Sequence, residues 1–326
     1  MKSLLKWAFR LFAGAFLITL IGCLGYVWTH KDFVGIEQDY KAKSDLLKSP
    51  PAGLKAPLEL KVVTFNIQDT WVVGRNRPER MRAIGAKLSL LDPDIVGFQE
   101  AFVQEDIELL KGELKDTRLK YWQYYPSAAV GSGVLTASVW PIKEVFFHRF
   151  TMAGQWWKLY QGDGAAGKGV GLARIELPDG QGMIDFFNTH AQAGYGNAYY
   201  TDPVRVSQMT EFGDFITGAR LPNSPTLAVG DLNCRIGDKD YESAIERGKL
   251  VRQMNTESRI DHILAVDDPN YAYEVLATER IYEKFSIRGT ELELSDHSGW
   301  MSTLRISPKA AAPATPPPAP VPAPAG

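Results

Sequence analysis

The sequence predicts a mixed α/β (α+β) sandwich. Three observations predict it: short β-rich runs recur through the middle of the chain, helical patterns fall between some of them, and polar or ionisable residues stand directly after five of the β-rich runs. Strands mixed with helices need a layered core. Polar residues repeated at strand ends place one site at one edge of that core.

Taken in order, the chain opens on a segment outside the core. Lys2, Lys6 and Arg10 precede Leu11 to Trp28, an uncharged run of about 18 residues, near the lower limit for a bilayer-spanning helix. A positive flank followed by an apolar run marks residues 1–29 as a signal sequence or an N-terminal anchor whose start stays inside. Leu20-Ile21-Gly22-Cys23 resembles a bacterial lipoprotein cleavage box, which would make Cys23 a lipidated N-terminus. The apolar run continues past Cys23 through Leu24, Tyr26, Val27 and Trp28, which favours the uncleaved anchor. Either way the remainder is tethered on the periplasmic or extracellular side.

Residues 30–57 form a polar connector with a short helix expected around Gln38 to Leu47, before Pro50-Pro51. From 308 to 326 the chain is almost entirely Ala and Pro, which cannot bury a core and should be an extended, disordered tail. The globular unit is then residues 58–307. Within it, strands are expected over Leu58 to Ile67, Ser132 to Val139, Val145 to Met152, Val170 to Leu177, Met183 to Thr189, Thr226 to Val229 and Ile260 to Val266. Helices are expected over Pro78 to Leu91, Val103 to Leu114 and Val204 to Ala219; the first has a proline near its start and stops before Asp92-Pro93.

Composition sets limits. A length of 326 residues supplies ample apolar material for a core. A formal net charge of −2 gives no global basic field, which disfavours a nonspecific nucleic-acid binder while leaving room for a local basic patch. With Cys23 in the apolar segment and Cys234 beside the candidate site, there is no disulfide framework. No segment points to a protein partner.

The chemistry gathers around Thr226 to Cys234, TLAVGDLNC, where Asp231 and Asn233 stand at i and i+2 after a short apolar run. In an extended segment that spacing puts a carboxylate and an amide on one face. An Asp can orient a water or a metal ion, and an Asn NH₂ can donate to a phosphoryl oxygen. The same residues suit an ordinary turn. Repetition decides for a site: Asn66 follows KVVTF, Glu100 follows DIVGFQ, His190 follows MIDFFNT, and Asp296-His297 follows ELELS.

The order Asn66, Glu100 in GFQE, His190 in NTH, Asp231 and Asn233 in GDLN, Asp261 in RIDH and Asp296-His297 in SDH resembles the endonuclease/exonuclease/phosphatase superfamily, across nearly the whole globular region. The resemblance implies a four-layer αββα sandwich with two central mixed β-sheets, bound Mg²⁺ or another divalent cation, and hydrolysis of a phosphoester by water. The residue types suit those tasks. Glu100 is the natural ligand for a hard cation, with Asn66 and Asp296 beside it. His297 is the candidate general base, Asp261 its orienting carboxylate, His190 a donor to a phosphoryl oxygen or the leaving group, and Asp231 with Asn233 the water-orienting pair.

A second layer concerns the substrate. NTHAQAGYG followed by RVSQMTEFGDFI resembles neutral sphingomyelinases through His190, Gln192, Ala193, Arg205 and Gln208, and Asp163 and Lys168 match a facing Asp/Lys pair in that family. Trp156 and Trp157, with Lys158 and Tyr160, suit a loop touching lipid headgroups, although alternate aromatics in a strand would also pack a core. The chain departs from the resemblance in showing no long second membrane segment or C-terminal lipid-binding domain. The expectation is a membrane-anchored, Mg²⁺-dependent phosphodiesterase splitting a phospholipid headgroup in the manner of sphingomyelinase C. A nuclease or inositol-phosphate phosphatase of the same superfamily is the alternative, and an inactive envelope-binding protein a further one.

Overall fold

The computed structural model describes residues 2–71, 73–155, 163, 165–194 and 198–309. Helix α1 (Lys2–His30) carries the apolar segment, and α2 (Tyr40–Lys43) and α3 (Asp45–Lys48) follow. The single helix expected near Gln38 to Leu47 is split because Ser44 takes an extended conformation, its side chain accepting from Leu47 N at 2.9 Å.

Among the described residues, twelve strands form two sheets. The first contains β1 (Leu58–Asp69), β2 (Ile95–Ala101), β3 (Tyr121–Tyr124), β4 (Leu135–Ser138), β11 (Tyr271–Ile281) and β14 (Gly299–Pro308), in the order β11-β14-β1-β2-β4-β3. The second contains β5 (Ile142–Arg149), β6 (Gly169–Glu176), β7 (Met183–His190), β8 (Thr226–Asp231), β9 (Leu250–Arg252) and β10 (Asp261–Val266), in the order β5-β6-β7-β8-β10-β9. A small ribbon of β12 (Lys284–Ile287) and β13 (Thr290–Glu293) stands apart. Helices α4 (Arg77–Leu91) and α5 (Gln104–Glu113) pack on the first sheet, burying Met81, Ile84, Leu88, Ile107 and Leu110 against Val63, Phe65 and Phe98. Helices α6 (Ala198–Ala219) and α7 (Lys239–Gly248) cover the second, with Phe212 and Ile216 against Phe187 and Leu264. The layers are therefore α, β, β, α, as a four-layer sandwich requires.

The space between the sheets explains where the site lies. Strand side chains alternate between faces, and Leu60 and Val62 of β1, Ile184 and Phe186 of β7, Leu227 and Val229 of β8, and Ile263 and Ala265 of β10 all enter the core between the sheets. Continuing each count by twos reaches Asn66, His190 and Asp231 at strand ends and Asp261 at a strand start. The inner apolar face thus becomes polar at one edge. Just before that edge Gln99 Nε2 donates to Asn188 Oδ1 at 2.8 Å, and Asn188 Nδ2 donates to Phe98 O and Leu135 O at 3.1 and 3.0 Å, tying one sheet to the other.

Gly97 marks how closely the sheets approach. A Cβ there would sit 2.4 Å from Val229 Cγ2 and 2.9 Å from Asn188 Cγ. Gly97→Ala is expected to destabilise the protein by about 2 kcal/mol through overpacking, read as a lower urea midpoint at unchanged slope.

The connector is stitched to the sandwich. Ala128 N donates to Phe33 O at 2.8 Å, Gly35 N to Pro126 O at 3.0 Å and Phe147 N to Glu37 O at 3.0 Å. Glu144 accepts from Ser44 Oγ, Asp45 N and Leu46 N, and buried Arg174 bonds Ser44, Glu144 and Ala219 O.

Candidate functional site

Sequence positions 66 to 297 converge at the polar edge. Asn66 Nδ2 lies 3.0 Å from both Glu100 Oε1 and Asp231 Oδ2. His297 Nδ1 lies 3.1 and 3.2 Å from the two oxygens of Asp261, and its Nε2 lies 3.7 Å from Asp231 Oδ2. Asp261 and His190 are each paired in register with Asp231, on either side of it. His190 Nε2 lies 3.6 Å from Asp231 Oδ2 and 3.9 Å from Glu100 Oε1. Asp296 is exposed and acts on Glu100, Asp261 and His297 through charge.

Glu100 reaches this group by a backbone device. By alternation it falls on the helix side of β2, but a left-handed φ of 56° turns it at the strand end. Asp231 and Asn233 are not aligned by an extended segment as their spacing predicts. The strand ends at Asp231, Asn233 takes φ 52°, and its N–H donates to Asp231 Oδ1 at 3.0 Å in an Asx turn. Asn233 Nδ2 donates to Ala191 O at 3.1 Å, leaving its second amide hydrogen for another acceptor.

On the His190 side, Lys168 Nζ lies 2.7 Å from Asp163 Oδ1, 2.6 Å from Ala191 O and 3.1 Å from His190 Nε2. Gln192 Nε2 and Ala193 N donate to Asp163 Oδ2 at 2.7 and 3.0 Å. Gln208 accepts from Gln192 N at 2.8 Å and donates to Met152 O at 2.9 Å, while Arg205 bonds Asp240 and Asp202. Every site residue expected from the sequence therefore joins one neighbourhood, except Trp156 and Trp157, which lie outside the described residues.

The electrostatics follow from burying carboxylates together. Burial raises Glu100 above the ordinary range, opposed by the Asn66 hydrogen bond and Lys168. Burial and the Asp261 charge push Asp231 up, and burial raises Asp261 too. For His297 burial favours the neutral ring, but the Asp261 hydrogen bond with the Asp231 and Asp296 charges wins and lifts it to about 10. Burial, then Lys168 and His297, hold His190 well below its usual range.

These residues fit a hard divalent cation. Four carboxylates meet where Lys168 is already paired with Asp163, and oxygen donors with surplus negative charge are what such an ion requires. Asp231, Asp261 and His297 place ligand atoms within 4.8 Å of one another. Because Asp261 is committed to His297 Nδ1, Glu100 and Asp231 are the better placed oxygens. Asn66 Oδ1 accepts Gln68 N–H at 3.0 Å, which turns the NH₂ toward the two carboxylates.

Two residues escaped the sequence reading. Ser295 Oγ donates to Asn66 O at 2.7 Å and accepts from His297 N at 3.2 Å, joining the β1 end to the His297 loop. Buried Arg80 spends its guanidinium on backbone carbonyls, from Nη1 to Ile67 O at 2.7 Å and Leu294 O at 3.1 Å, from Nη2 to Gln68 O at 2.6 Å and from Nε to Arg75 O at 2.9 Å. The available signal was spacing: Arg80, Ile84 and Leu88 share one buried helix stripe, where a charge needs a reason. Arg80→Met should cost about 3 kcal/mol by stranding these carbonyls, measured as loss of unfolding free energy in urea.

The model of the Endonuclease/Exonuclease/phosphatase family matches residues 63–297. A putative neutral sphingomyelinase of Drosophila melanogaster is 31% identical over 277 residues, covering 76% of this chain and 61% of that protein. An inositol phosphosphingolipids phospholipase C of Schizosaccharomyces pombe is 34% identical over 180 residues, covering 55% and 42%. The chain thus spans less than two thirds of these relatives. A mutant beta toxin of Staphylococcus aureus, solved with bound magnesium ions, superposes with a TM-score of 0.59 at 20% identity, covering 76% of this chain and 99% of that one.

Proposed function

The chain belongs to the endonuclease/exonuclease/phosphatase family, and from that premise we propose that it is a Mg²⁺-dependent phosphodiesterase acting on the headgroup of a membrane sphingolipid. Water attacks phosphorus, the bond from phosphorus to the lipid oxygen breaks, and the products are a lipid alcohol and the phosphorylated headgroup. The observation that carries this reading is the His297–Asp261 pair standing across from Asp231 and Glu100 in one buried, acid-rich edge. The names of the sphingomyelinase and sphingolipid phospholipase relatives supply the substrate class.

Within that edge, a cation on Glu100 and Asp231 would offset the carboxylate charge that lifts His297 and return the ring to its neutral form; His297 then removes the proton from water, and Asp261 fixes its Nδ1–H and stabilises the imidazolium that results. Asp231, 3.7 Å from His297 Nε2, orients the water. Glu100 and Asp231 would hold the cation with Asp296 nearby, and Asn66 would keep their oxygens turned inward. Bound there, Mg²⁺ supplies positive charge that acidifies water and offsets charge gathering on the phosphoryl oxygens. Asn233 donates a hydrogen bond to those oxygens, while His190 stands beside them with its Nε2 accepting from Lys168 Nζ at 3.1 Å. Lys168, held by Asp163, adds a fixed positive charge on the same side.

Residues 58–307 make up the catalytic unit in this reading, and α1 anchors it. Lys2, Lys6 and Arg10 ahead of the apolar run support a start that stays inside and a site on the far side of the membrane. The test is incubation of the full chain in detergent micelles with labelled sphingomyelin, an inositol phosphosphingolipid, plasmid DNA and an inositol phosphate, with and without Mg²⁺. Headgroup release from a sphingolipid only when Mg²⁺ is present is the expected result. Cleavage of DNA alone would overturn the lipid assignment.

A further inference from the structure

Several large apolar side chains stay in solvent at the edge that carries the site. Trp71, Val73, Met152 and Ile236 are 53, 61, 43 and 50% exposed. Each follows the C-terminal end of a strand: β1 for the first two, then β5 and β8. Strand β8 runs parallel to β7, and β5 and β7 are both antiparallel to β6, so β5, β7 and β8 end on one side. The Asn66–Asp231 contact makes that side the one where β1 also ends.

The Trp71 loop is held in shape from within. Gly74 N donates to Thr70 O and Oγ1, both at 3.1 Å, Arg77 Nη1 to Thr70 O at 3.4 Å, and Arg80 Nε to Arg75 O at 2.9 Å. A Cβ on Gly74 would lie 2.5 Å from Thr70 O, so the turn closes only with glycine. Trp71 and Val73 are therefore kept outward instead of folded onto the protein. Between Asp69 and Glu79 the chain carries Arg75 and Arg77 and no acid.

Helix α1 reaches the same edge. Phe33, 51% exposed, is bonded to Ala128 beyond the end of β3, and β3 runs with β2 because both are antiparallel to β4. The helix, apolar over Leu5–His30, stops three residues before Phe33, a reach of at most about 10 Å. With α1 in a bilayer, the site edge cannot stand far from that bilayer.

We propose that this edge of the sandwich lies against a lipid bilayer and that Trp71 and Val73 seat at its headgroup boundary, where an indole is most stable and an exposed apolar patch finds its partner. This rests on the reading of the substrate as a bilayer lipid and adds how the site meets it: the loop next to Asn66 draws the edge onto the surface so that a headgroup enters without the lipid leaving the membrane.

The test places an environment-sensitive nitrobenzoxadiazole label on Val73→Cys, in a Cys23→Ser background, with the full chain reconstituted in phosphatidylcholine vesicles. A companion label on Leu90→Cys marks the far end of α4, where Leu90 is 82% exposed. The label at 73 should shift to the blue and be quenched severalfold more by doxyl lipids than the label at 90. Equal quenching of both by aqueous iodide, with none from doxyl lipid, overturns the proposal. So does a blue shift that grows with protein density without doxyl quenching, which assigns the patch to a second copy of the chain. Phosphatidylcholine suffices for this readout, so doxyl quenching without turnover of any sphingolipid would leave this proposal standing and sink the catalytic one. Trp71→Ala should raise the vesicle concentration for half-maximal rate about tenfold and leave hydrolysis of a soluble phosphodiester unchanged.

Discussion

His297→Ala is expected to lower kcat by roughly 10³-fold, the upper part of what a positioned base contributes, with little change in the lipid concentration needed for half-maximal rate. The pH dependence of stability gives an independent check. His297 is lifted to about 10 by Asp261, Asp231 and Asp296. A histidine with a raised folded value stabilises the fold fully below its unfolded value and loses that contribution as pH climbs through the folded one. In cation-free buffer the melting-temperature gap between wild type and His297→Ala should therefore be widest near pH 6 and close as pH approaches 10. Asp261→Asn should keep the ring near its place and move the acidic limb of the kcat/KM profile to lower pH, because the carboxylate that favours imidazolium is gone. A folded His297→Ala protein retaining more than a tenth of wild-type turnover would remove His297 as the base.

Glu100→Gln should separate stability from activity. Burial raises Glu100 above its unfolded value, so its ionised form weighs against folding once pH exceeds the folded value, and the penalty vanishes in acid. The amide carries no charge and keeps the shape. In chelator at pH 8 the variant should melt above wild type, with the difference fading toward pH 4. With Mg²⁺ the order should reverse, since wild type gains the binding energy of the ion and the variant gains little. Turnover should fall by about 10³-fold or more, as expected when a carboxylate holding a catalytic metal is lost. Titration calorimetry showing undiminished Mg²⁺ binding by Glu100→Gln would take this residue off the metal.

Much of this site was readable because its members sit where apolar alternation stops. Asn66, His190 and Asp231 each close a β-rich run, and a polar side chain on the inner face of a strand is conspicuous. The first strand, β6, β7, β8 and β10 were placed to within a few residues for the same reason. Strands β11 and β14 were not foreseen. β11 is an outer strand whose alternation is filled by charged and small residues, and β14 begins at Gly299 and ends at Pro308. Helix α7 went unseen because most of its positions are polar and its buried face is only Tyr241, Ala244 and Gly248 with Asp240. Helix α6 starts at Ala198, ahead of the expected Val204, and accommodates Pro203 within its length. The turn that swings Glu100 inward and the Asx geometry at Asn233 depend on backbone angles that no residue type dictates. Arg80 and Ser295 act on the backbone of distant segments, and only the assembled chain shows which carbonyls they meet.

The stitching of the connector bears on how a soluble form should be made. Truncation at Leu58, the start of the catalytic unit by sequence, would strip Ser44 from the buried Arg174 and Leu54 from the wall beside Tyr271. The sandwich would lose part of its own lining together with the membrane helix. Between the end of α1 at His30 and the first backbone stitch at Phe33 lie only Lys31 and Asp32, the latter 3.5 Å from Arg149 Nη1, and a protease site or new start codon belongs there.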